Sequence, residues 1–302
     1  QGMVIDNAER FPSRTYHEVF PLRKGLSFWQ TKQTEYWDRF IIHLSEGTNQ
    51  DALDEFYTWQ SMGLLDWRTT IIHGIPLGSA EWSAMSAAGA SLVWSPASNM
   101  ILYGETADIP GALSAGVNVA LAPDWTESGS LNILAELKFA NQINRSSWQG
   151  SIPPLQFTEF VTRNAAQALG VQDWDGQISP GYQADLMVID GDPQSPYAAL
   201  LDAHPADVQL TVVYGLLMYG TPELMNQSPF LNKKENTNIG GVDKQLAIQV
   251  PAHAIPEATK PLSEIMDELH TAYQASDPKV CAFLGIERNQ WQGIFLPLIL
   301  HH

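Results

Sequence analysis

The sequence predicts an α/β fold built on a parallel sheet, and two observations support this. Four apolar, β-branched runs lack polar alternation, which is typical of strands buried on both faces of a parallel sheet. Helix-like stretches separate these runs, whose ends lie 22 to 30 residues apart, the repeat length of a βα unit. The predicted strands are residues 39–43, 69–73, 90–95 and 117–124.

Helices are predicted between these strands and after the last of them. Apolar residues recur there at three- and four-residue spacing, as on the buried face of an amphipathic helix. The last helix is expected to end at Gly170, because glycine readily adopts the left-handed conformation that closes a helix. The predicted helices are residues 50–62, 80–88, 109–115, 131–143 and 156–169.

Beyond Gly170 the sequence predicts a small β module. Turn-forming residues dominate positions 176–181 and precede a short strand. Two further strands flank Tyr214-Gly215 and are interpreted as a hairpin. The strands of this module are predicted at residues 184–191, 208–213 and 216–219.

The rest of the chain is less regular and sets the predicted domain division. Residues 222–260 show little periodicity, and residues 262–275 predict an amphipathic helix. We expect three parts: an α/β barrel portion at 1–170, the small β module at 171–225, and a C-terminal extension without an assigned role at 226–302.

Composition excludes several classes of protein. An apolar content of 44% over 302 residues excludes a disordered chain, and a single cysteine, Cys281, excludes a disulfide framework. The net charge of −17 disfavours binding to a nucleic-acid backbone. No apolar run reaches the roughly 20 residues of a membrane helix. We therefore expect a cytoplasmic globular protein without a nucleic-acid or membrane partner.

Four polar residues follow predicted strands and could form one site. His43 ends the first strand and Glu46 follows it, His73 ends the second strand, and Asp124 ends the fourth. Because parallel strands place their carboxyl ends at one edge, these groups are expected to converge. Two imidazoles and a carboxylate suit a divalent ion such as zinc or iron. Such an ion would turn water into a hydroxide nucleophile, and Glu46 would carry a proton to the leaving group.

Each of these residues also has an ordinary structural interpretation. A histidine after two isoleucines is more often a hydrogen-bonded core residue than a metal ligand. An Asp-Trp pair after Ala-Pro is commonly a turn or a helix cap. It is the coincidence of three strand-end groups in strand order that favours a functional site.

The ordered motifs resemble the amidohydrolase superfamily of metal-dependent hydrolases. Within it, the chain looks most like the chlorohydrolase, aminohydrolase and imidazolonepropionase-like branch, over residues 39–220. The resemblance implies a (β/α)8 TIM-type barrel with a small β-sandwich. It also implies that this chain contains only the C-terminal part of the barrel. The motifs are Ile42-His43-Leu44-Ser45-Glu46-Gly47, Ile72-His73-Gly74 and residues 93–99, 115–124, 129–132, 162–166 and 176–186.

The resemblance also implies roles for the four residues. His43 matches the metal-binding histidine of barrel strand five, and Glu46 the acid/base of the same His-x-x-Glu motif. His73 matches the strand-six histidine, which binds metal or orients the hydroxide or the substrate. Asp124 matches the strand-eight aspartate that binds the ion and takes a proton. The implied catalytic residues are therefore Glu46, His73 and Asp124, and the implied ligands of zinc (or iron) are His43, His73 and Asp124.

One departure from the family pattern leaves three interpretations open. The family's first barrel strand ends in His-x-His, which does not occur upstream of His43. The residues before His43 have room for one more strand, expected near residues 18–22, so five of eight barrel strands are predicted. The chain could be a fragment completed by another polypeptide, a truncated chain that folds alone or as a dimer, or an inactive relative that serves as a binding or structural subunit. An open sheet edge favours association, so we expect a homo-oligomer or a complementing N-terminal chain.

The expected function is hydrolysis of carbon–nitrogen bonds in a small molecule. Metal-activated hydroxide would attack an sp² carbon of a cyclic amide or of a deaminase-type, non-peptide substrate. The alternative is an inactive or incomplete amidohydrolase fragment that serves as a structural or binding subunit and needs a partner chain.

Overall fold

The computed structural model describes residues 15–35, 38–125, 128–227, 234–247 and 261–275. The chain divides into two compact units, Gln1–Tyr182 and Gln183–His302. Among the described residues, no helix is long and apolar enough to cross a membrane. Cys281 and much of the predicted C-terminal extension lie outside the described residues.

The first unit contains the predicted parallel sheet. Its five strands pair side by side in chain order, each parallel to the next, as successive βα units do. This arrangement confirms the α/β fold class, and the part of this unit that the structure describes contains the five predicted strands. The strands are β1 (Thr15–Glu18), β2 (Arg39–Leu44), β3 (Thr69–His73), β4 (Ser91–Trp94) and β5 (Asn118–Leu121).

The first strand lies earlier in the chain than predicted. β1 ends at Glu18, whereas the sequence suggested residues 18–22. Pro21 begins a 3-10 helix, Pro21–Lys24, because proline has no N–H group to donate to a sheet and its fixed φ suits a helical turn. The apolar residues around Pro21 therefore belong to this turn.

Eight α-helices within the described residues of the first unit follow or join these strands. The predicted helix at 156–169 is two helices, because Thr162 has the non-helical dihedrals φ −127° and ψ −103°. The second of them ends at Gly170, whose φ is +76°, as predicted. The helices are α1 (Gly25–Thr34), α2 (Gln50–Ser61), α3 (Ser79–Ala88), α4 (Pro96–Tyr103), α5 (Ile109–Ser114), α6 (Ile133–Ser147), α7 (Pro154–Phe160) and α8 (Arg163–Leu169).

Aromatic side chains fill the core between α1, α2 and the first strands. Trp29 of α1 and Trp59 of α2 are fully buried, with ring centroids 4.9 Å apart and nearly perpendicular planes. Phe40 of β2 lies 5.4 Å from Trp29 in the same edge-on geometry. The indole Nε1 of Trp59 donates to the Thr69 hydroxyl at 3.3 Å. This packing fixes α2 against β2 and β3, the strands that carry His43 and His73.

Replacing Trp59 by alanine is expected to lower the free energy of unfolding by about 3–5 kcal/mol. The change removes a fully buried ring and leaves a cavity beside Trp29. Urea unfolding followed by circular dichroism measures the loss. The matched control is Gln60→Ala at the next, exposed position of α2, which should change stability by less than about 0.5 kcal/mol. Equal effects of the two substitutions would contradict this packing.

The second unit contains an antiparallel sheet of five strands in the order β6-β7-β8-β10-β9. The predicted hairpin is present, and Tyr214 and Gly215 turn it with φ values of +53° and +76°. The described residues of this unit form one sheet, and the second layer of the predicted sandwich stays a prediction. The strands are β6 (Leu186–Ile189), β7 (Val208–Val213), β8 (Leu216–Gly220), β9 (Lys234–Ile239) and β10 (Val242–Ala247).

The last two strands lie within the segment that the sequence left without a role. β9 and β10 form a hairpin around Gly240-Gly241, whose positive φ values suit a tight turn, and β10 pairs with β8. The helices of this unit are α9 (Pro196–Asp202), α10 (Pro222–Met225) and α11 (Leu262–Ala275). α11 has the predicted bounds. The three-part domain division remains a prediction.

Candidate metal centre

The structure brings together the three residues predicted to bind metal. His43 is the last residue but one of β2, His73 ends β3, and Asp124 follows β5 by three residues. One potential ligand atom from each of them lies within 4.8 Å of the others. The parallel register places these three positions at the same edge of the sheet, where the carboxyl ends of the strands meet.

His73 occupies a sharp turn that the sequence makes possible. Its φ of +80° is unusual for a residue with a side chain, and Gly74 continues the turn at φ +58°. A Cβ atom on residue 74 would lie 2.9 Å from Cδ1 of Leu92, so only glycine fits there. The turn holds the His73 imidazole fully buried, with Nδ1 2.9 Å from Oδ1 of Asn99.

The other nitrogen of His73 faces two carboxylates. Nε2 lies 3.6 Å from Oε1 of Glu46 and 3.8 Å from Oδ2 of Asp124. Within the described residues, this buried nitrogen has no hydrogen-bond partner, and neither has Nδ1 of His43. Buried polar atoms are nearly always paired, so these two free nitrogens indicate a place for a bound group.

His43 is kept neutral by its surroundings. Its pKa is lowered to about 4, mainly by burial and further by the nearby imidazoles of His73 and His17, against the opposing effect of Asp124. The ring centroids of His17 and His43 are 5.3 Å apart, and those of His43 and His73 are also 5.3 Å apart. A neutral imidazole has a lone pair free for a metal ion. His17 was not predicted to lie here, because the first strand was expected a few residues later in the chain.

Asp124 is held by two hydrogen bonds and a close backbone contact. Its Oδ2 accepts from the Ser98 hydroxyl, and its Oδ1 accepts from the backbone N–H of Trp125 at 2.7 Å. A Cβ atom on Gly129 would lie 2.7 Å from the backbone N and O of Asp124. Glycine at position 129 therefore lets its own backbone approach the backbone of Asp124 closely.

Glu46 lies next to this group, at the end of the His-x-x-Glu motif. The Tyr103 hydroxyl donates to its Oε1 at 3.0 Å. Burial, together with the negative charge of Glu46, raises the pKa of Tyr103 to about 12, so that its hydroxyl stays protonated and remains a donor. The preceding Ser45 has φ +57°, and its N–H donates to Glu55 at 2.9 Å, which fixes the turn.

Three hydrogen-bond partners of the site were not assigned from the sequence. Ser98, Asn99 and Tyr103 all belong to α4, which begins directly after β4. The first two lie within one of the quoted motifs, residues 93–99, but nothing in the sequence alone indicates what they contact.

The donor set fits a divalent metal ion. Two imidazoles and one carboxylate would provide three protein ligands and would leave a position for water, as catalytic zinc sites do. The fit rests on the unpartnered nitrogens of His43 and His73 and on their separation from Asp124.

Curated relatives of this chain are deaminases. It is 30% identical over 215 residues to the 5-methylthioadenosine/S-adenosylhomocysteine deaminase of Pyrococcus abyssi, covering 65% of this chain and 50% of that protein. The enzyme of the same name from Haloquadratum walsbyi is 34% identical over 166 residues. The match covers 51% of this chain and 37% of that enzyme. The chain thus spans half or less of the length of these relatives.

Solved structures share the fold. An adenosine deaminase from Xanthomonas campestris with bound zinc superposes with a TM-score of 0.61 at 20% identity. The match covers 70% of this chain and 53% of the deaminase chain. The guanine deaminase of E. coli gives a TM-score of 0.61 at 20% identity. The match covers 71% of this chain and 57% of the guanine deaminase chain.

A family model decides the classification. The model of the amidohydrolase family matches residues 35–218, which is more than half of the chain. This segment contains His43, Glu46, His73 and Asp124, together with strands β2 to β5. The chain belongs to the amidohydrolase family.

Proposed function

We propose that this chain carries the metal site and the proton-transferring carboxylate of a hydrolase that acts on carbon–nitrogen bonds. One observation carries the proposal: potential ligand atoms of His43, His73 and Asp124 lie within 4.8 Å of one another, with Glu46 3.6 Å from His73. Family membership supports the same reaction class, because the named relatives are deaminases.

The proposed ion is zinc, with iron as the second choice. His43, His73 and Asp124 would hold it, since borderline metals of this type prefer imidazole nitrogen with a carboxylate. When bound, such an ion lowers the pKa of water towards neutrality and polarises the bond that is attacked. The neutral state of His43 keeps its lone pair available at physiological pH.

Glu46 and Asp124 would move the protons of the reaction. One oxygen of each carboxylate lies close to His73 Nε2, at 3.6 and 3.8 Å, so both border the same small volume. Asp124 would take a proton from the attacking water, and Glu46 would deliver one to the leaving nitrogen. Donation from Tyr103 orients Glu46 for this transfer.

The proposed substrate is a small heterocycle with an exocyclic amino group, or a cyclic amide. The relatives named above are deaminases of 5-methylthioadenosine or S-adenosylhomocysteine, of adenosine and of guanine. These names favour an amino-substituted purine as the first compound to test. A cyclic amide would need the same attack on an sp² carbon bonded to nitrogen.

We also propose that the protein acts in the cytoplasm, as a homo-oligomer or with a complementing chain. Within the described residues, β1 pairs with β2 alone, which leaves its outer edge open for association. The second candidate function is a binding subunit without turnover of its own. The outer edge of β1, unpaired within the described residues, favours this function because it suits association with a partner chain.

Zinc binding by the purified chain tests the metal site. We expect about one zinc ion per chain after purification without chelator, measured by elemental analysis, and less than about 0.1 would contradict the proposal. Release of ammonia from adenosine, 5-methylthioadenosine and guanine then tests the reaction. Zinc binding with turnover only after a complementing chain is added would indicate a split enzyme. Zinc binding without turnover in either case would favour the binding subunit.

A further inference from the structure

We propose that Asn99 is a positioning residue that holds His73 in the tautomer with the proton on Nδ1. The lone pair of Nε2 then faces the space between Glu46 and Asp124. The consequence for zinc binding rests on the proposed function, whereas the tautomer itself does not.

The place of α4 in the fold explains how one helix reaches several site residues. β4 lies between β3 and β5 in the sheet, and α4 begins two residues after β4 ends. Its consecutive residues Ser98 and Asn99 are both fully buried. Ser98 donates to Asp124 after β5, and Asn99 contacts His73 at the end of β3. The helix therefore connects the two strand ends on either side of β4.

The hydrogen bonds of Thr106 accompany the orientation of the Asn99 amide that faces His73. The indole Nε1 of Trp94, which can only donate, gives its hydrogen bond to the Thr106 hydroxyl oxygen at 2.8 Å. The Asn99 amide Nδ2 donates to the same oxygen at 3.2 Å. In this orientation the carbonyl Oδ1 of Asn99 lies 2.9 Å from Nδ1 of His73.

The orientation of Asn99 determines the protonation of the His73 ring. An amide oxygen accepts hydrogen bonds and cannot donate them, so Nδ1 of His73 must carry the proton. In a neutral imidazole the other nitrogen is then unprotonated. Metal-binding histidines commonly donate their second nitrogen to an oxygen in this way, which fixes both the tautomer and the ring plane.

The frame that holds Asn99 is anchored at both ends of α4. At the start of the helix, the N–H of Ala97 donates to Oε1 of Glu136 at 3.0 Å, and this α6 side chain is fully buried. A carboxylate at this end also complements the helix dipole. At the other end, the Tyr103 hydroxyl donates to Glu46. Asn99 therefore lies in a segment that has little freedom to rotate.

Nitrogen-15 NMR of the histidine rings in the metal-free chain tests the tautomer directly. We expect the His73 ring to show a protonated Nδ1 and an unprotonated Nε2. In Asn99→Leu, which removes the acceptor, the proton should move wholly or partly to Nε2. Asn99→Asp keeps an oxygen acceptor and should retain the parent tautomer. A parent chain whose His73 carries its proton on Nε2 would overturn the proposal.

Zinc affinity gives the second readout. We expect Asn99→Leu to weaken zinc binding by about 10- to 100-fold in competition with a chromophoric chelator, and Asn99→Asp to rescue most of this loss. The matched control is Ile101→Ala on the exposed side of the same helix, where 62% of the residue is exposed, and it should change neither readout. Equal zinc affinity of Asn99→Leu and the parent would overturn the positioning role.

The two readouts separate this proposal from the proposed function. If the parent chain binds no zinc but shows the expected tautomer, lost in Asn99→Leu and kept in Asn99→Asp, the metal site fails while the role of Asn99 stands. If Asn99→Leu does not fold, the NMR spectra of the parent and of Asn99→Asp still decide the tautomer.

Discussion

Replacing Glu46 by glutamine is expected to lower turnover of the active protein by about a hundredfold or more. Glutamine has nearly the same shape and retains an oxygen that can accept the hydrogen bond from Tyr103, which is 3.0 Å long in the parent. The substitution removes the negative charge of the side chain and with it the capacity to accept and return a proton. Zinc content should therefore stay at the parent value while ammonia release falls, and both can be measured on the same preparation.

A second glutamate provides the control for this experiment. Glu105 is exposed and follows α4, so Glu105→Gln should leave turnover unchanged while making the same change in net charge. If Glu46→Gln and Glu105→Gln turn over equally fast, Glu46 is not the proton carrier. If the chain is instead a binding subunit, Glu46→Gln should leave its stability and its partner binding intact.

The parallel sheet was predictable because its strands are buried on both faces. Such strands have to be apolar along their whole length. The observed ends of β2 to β5 differ from the predicted ends by at most three residues. β1 is different, because its sequence, Thr15–Glu18, is polar and its residues are only half buried. A strand of this kind does not stand out from the apolar run around Pro21. The sheet edge was therefore placed a few residues too late.

The strand-end residues of the site were also predictable, whereas their partners were not. His43, His73 and Asp124 follow from strand order alone, since parallel strands end at one edge. The contacts of Ser98 and Asn99 depend on which strands lie on either side of β4 and on how α4 leaves it. One missed element did carry a signal: Gly240-Gly241 between polar, partly alternating segments is typical of a hairpin.

The local electrostatics and the hydrogen bonds favour metal binding over a structural role for these histidines. A core histidine is expected to satisfy its buried nitrogens with neighbouring groups. His73 makes a hydrogen bond at Nδ1 only, through Asn99. Among the described residues, Nε2 of His73 and Nδ1 of His43 have no hydrogen-bond partner. Burial and the adjacent imidazoles disfavour protonation of His43, so an ion pair with Asp124 does not explain its position. A bound cation would satisfy the free nitrogens and the carboxylate together.

Replacing His43 by alanine is expected to abolish zinc binding at this site. The described residues provide three ligands, and loss of one leaves His73 and Asp124, fewer than a catalytic zinc site uses. Elemental analysis should show zinc falling from about one ion per chain to less than about 0.1. The control is His204→Ala, which removes an exposed histidine of the second unit and should leave the zinc content unchanged.

Thermal unfolding distinguishes loss of the metal from loss of the fold in His43→Ala. Zinc at a hundredfold excess over its dissociation constant should stabilise the parent chain by about 2.7 kcal/mol, because it binds the folded state. His43→Ala should lose this zinc-dependent rise in Tm. Without zinc, its Tm should stay close to that of the parent, since Nδ1 of His43 makes no hydrogen bond within the described residues. A zinc-dependent rise that persists in His43→Ala would show that the ion binds elsewhere, and the assignment of this centre would then be wrong.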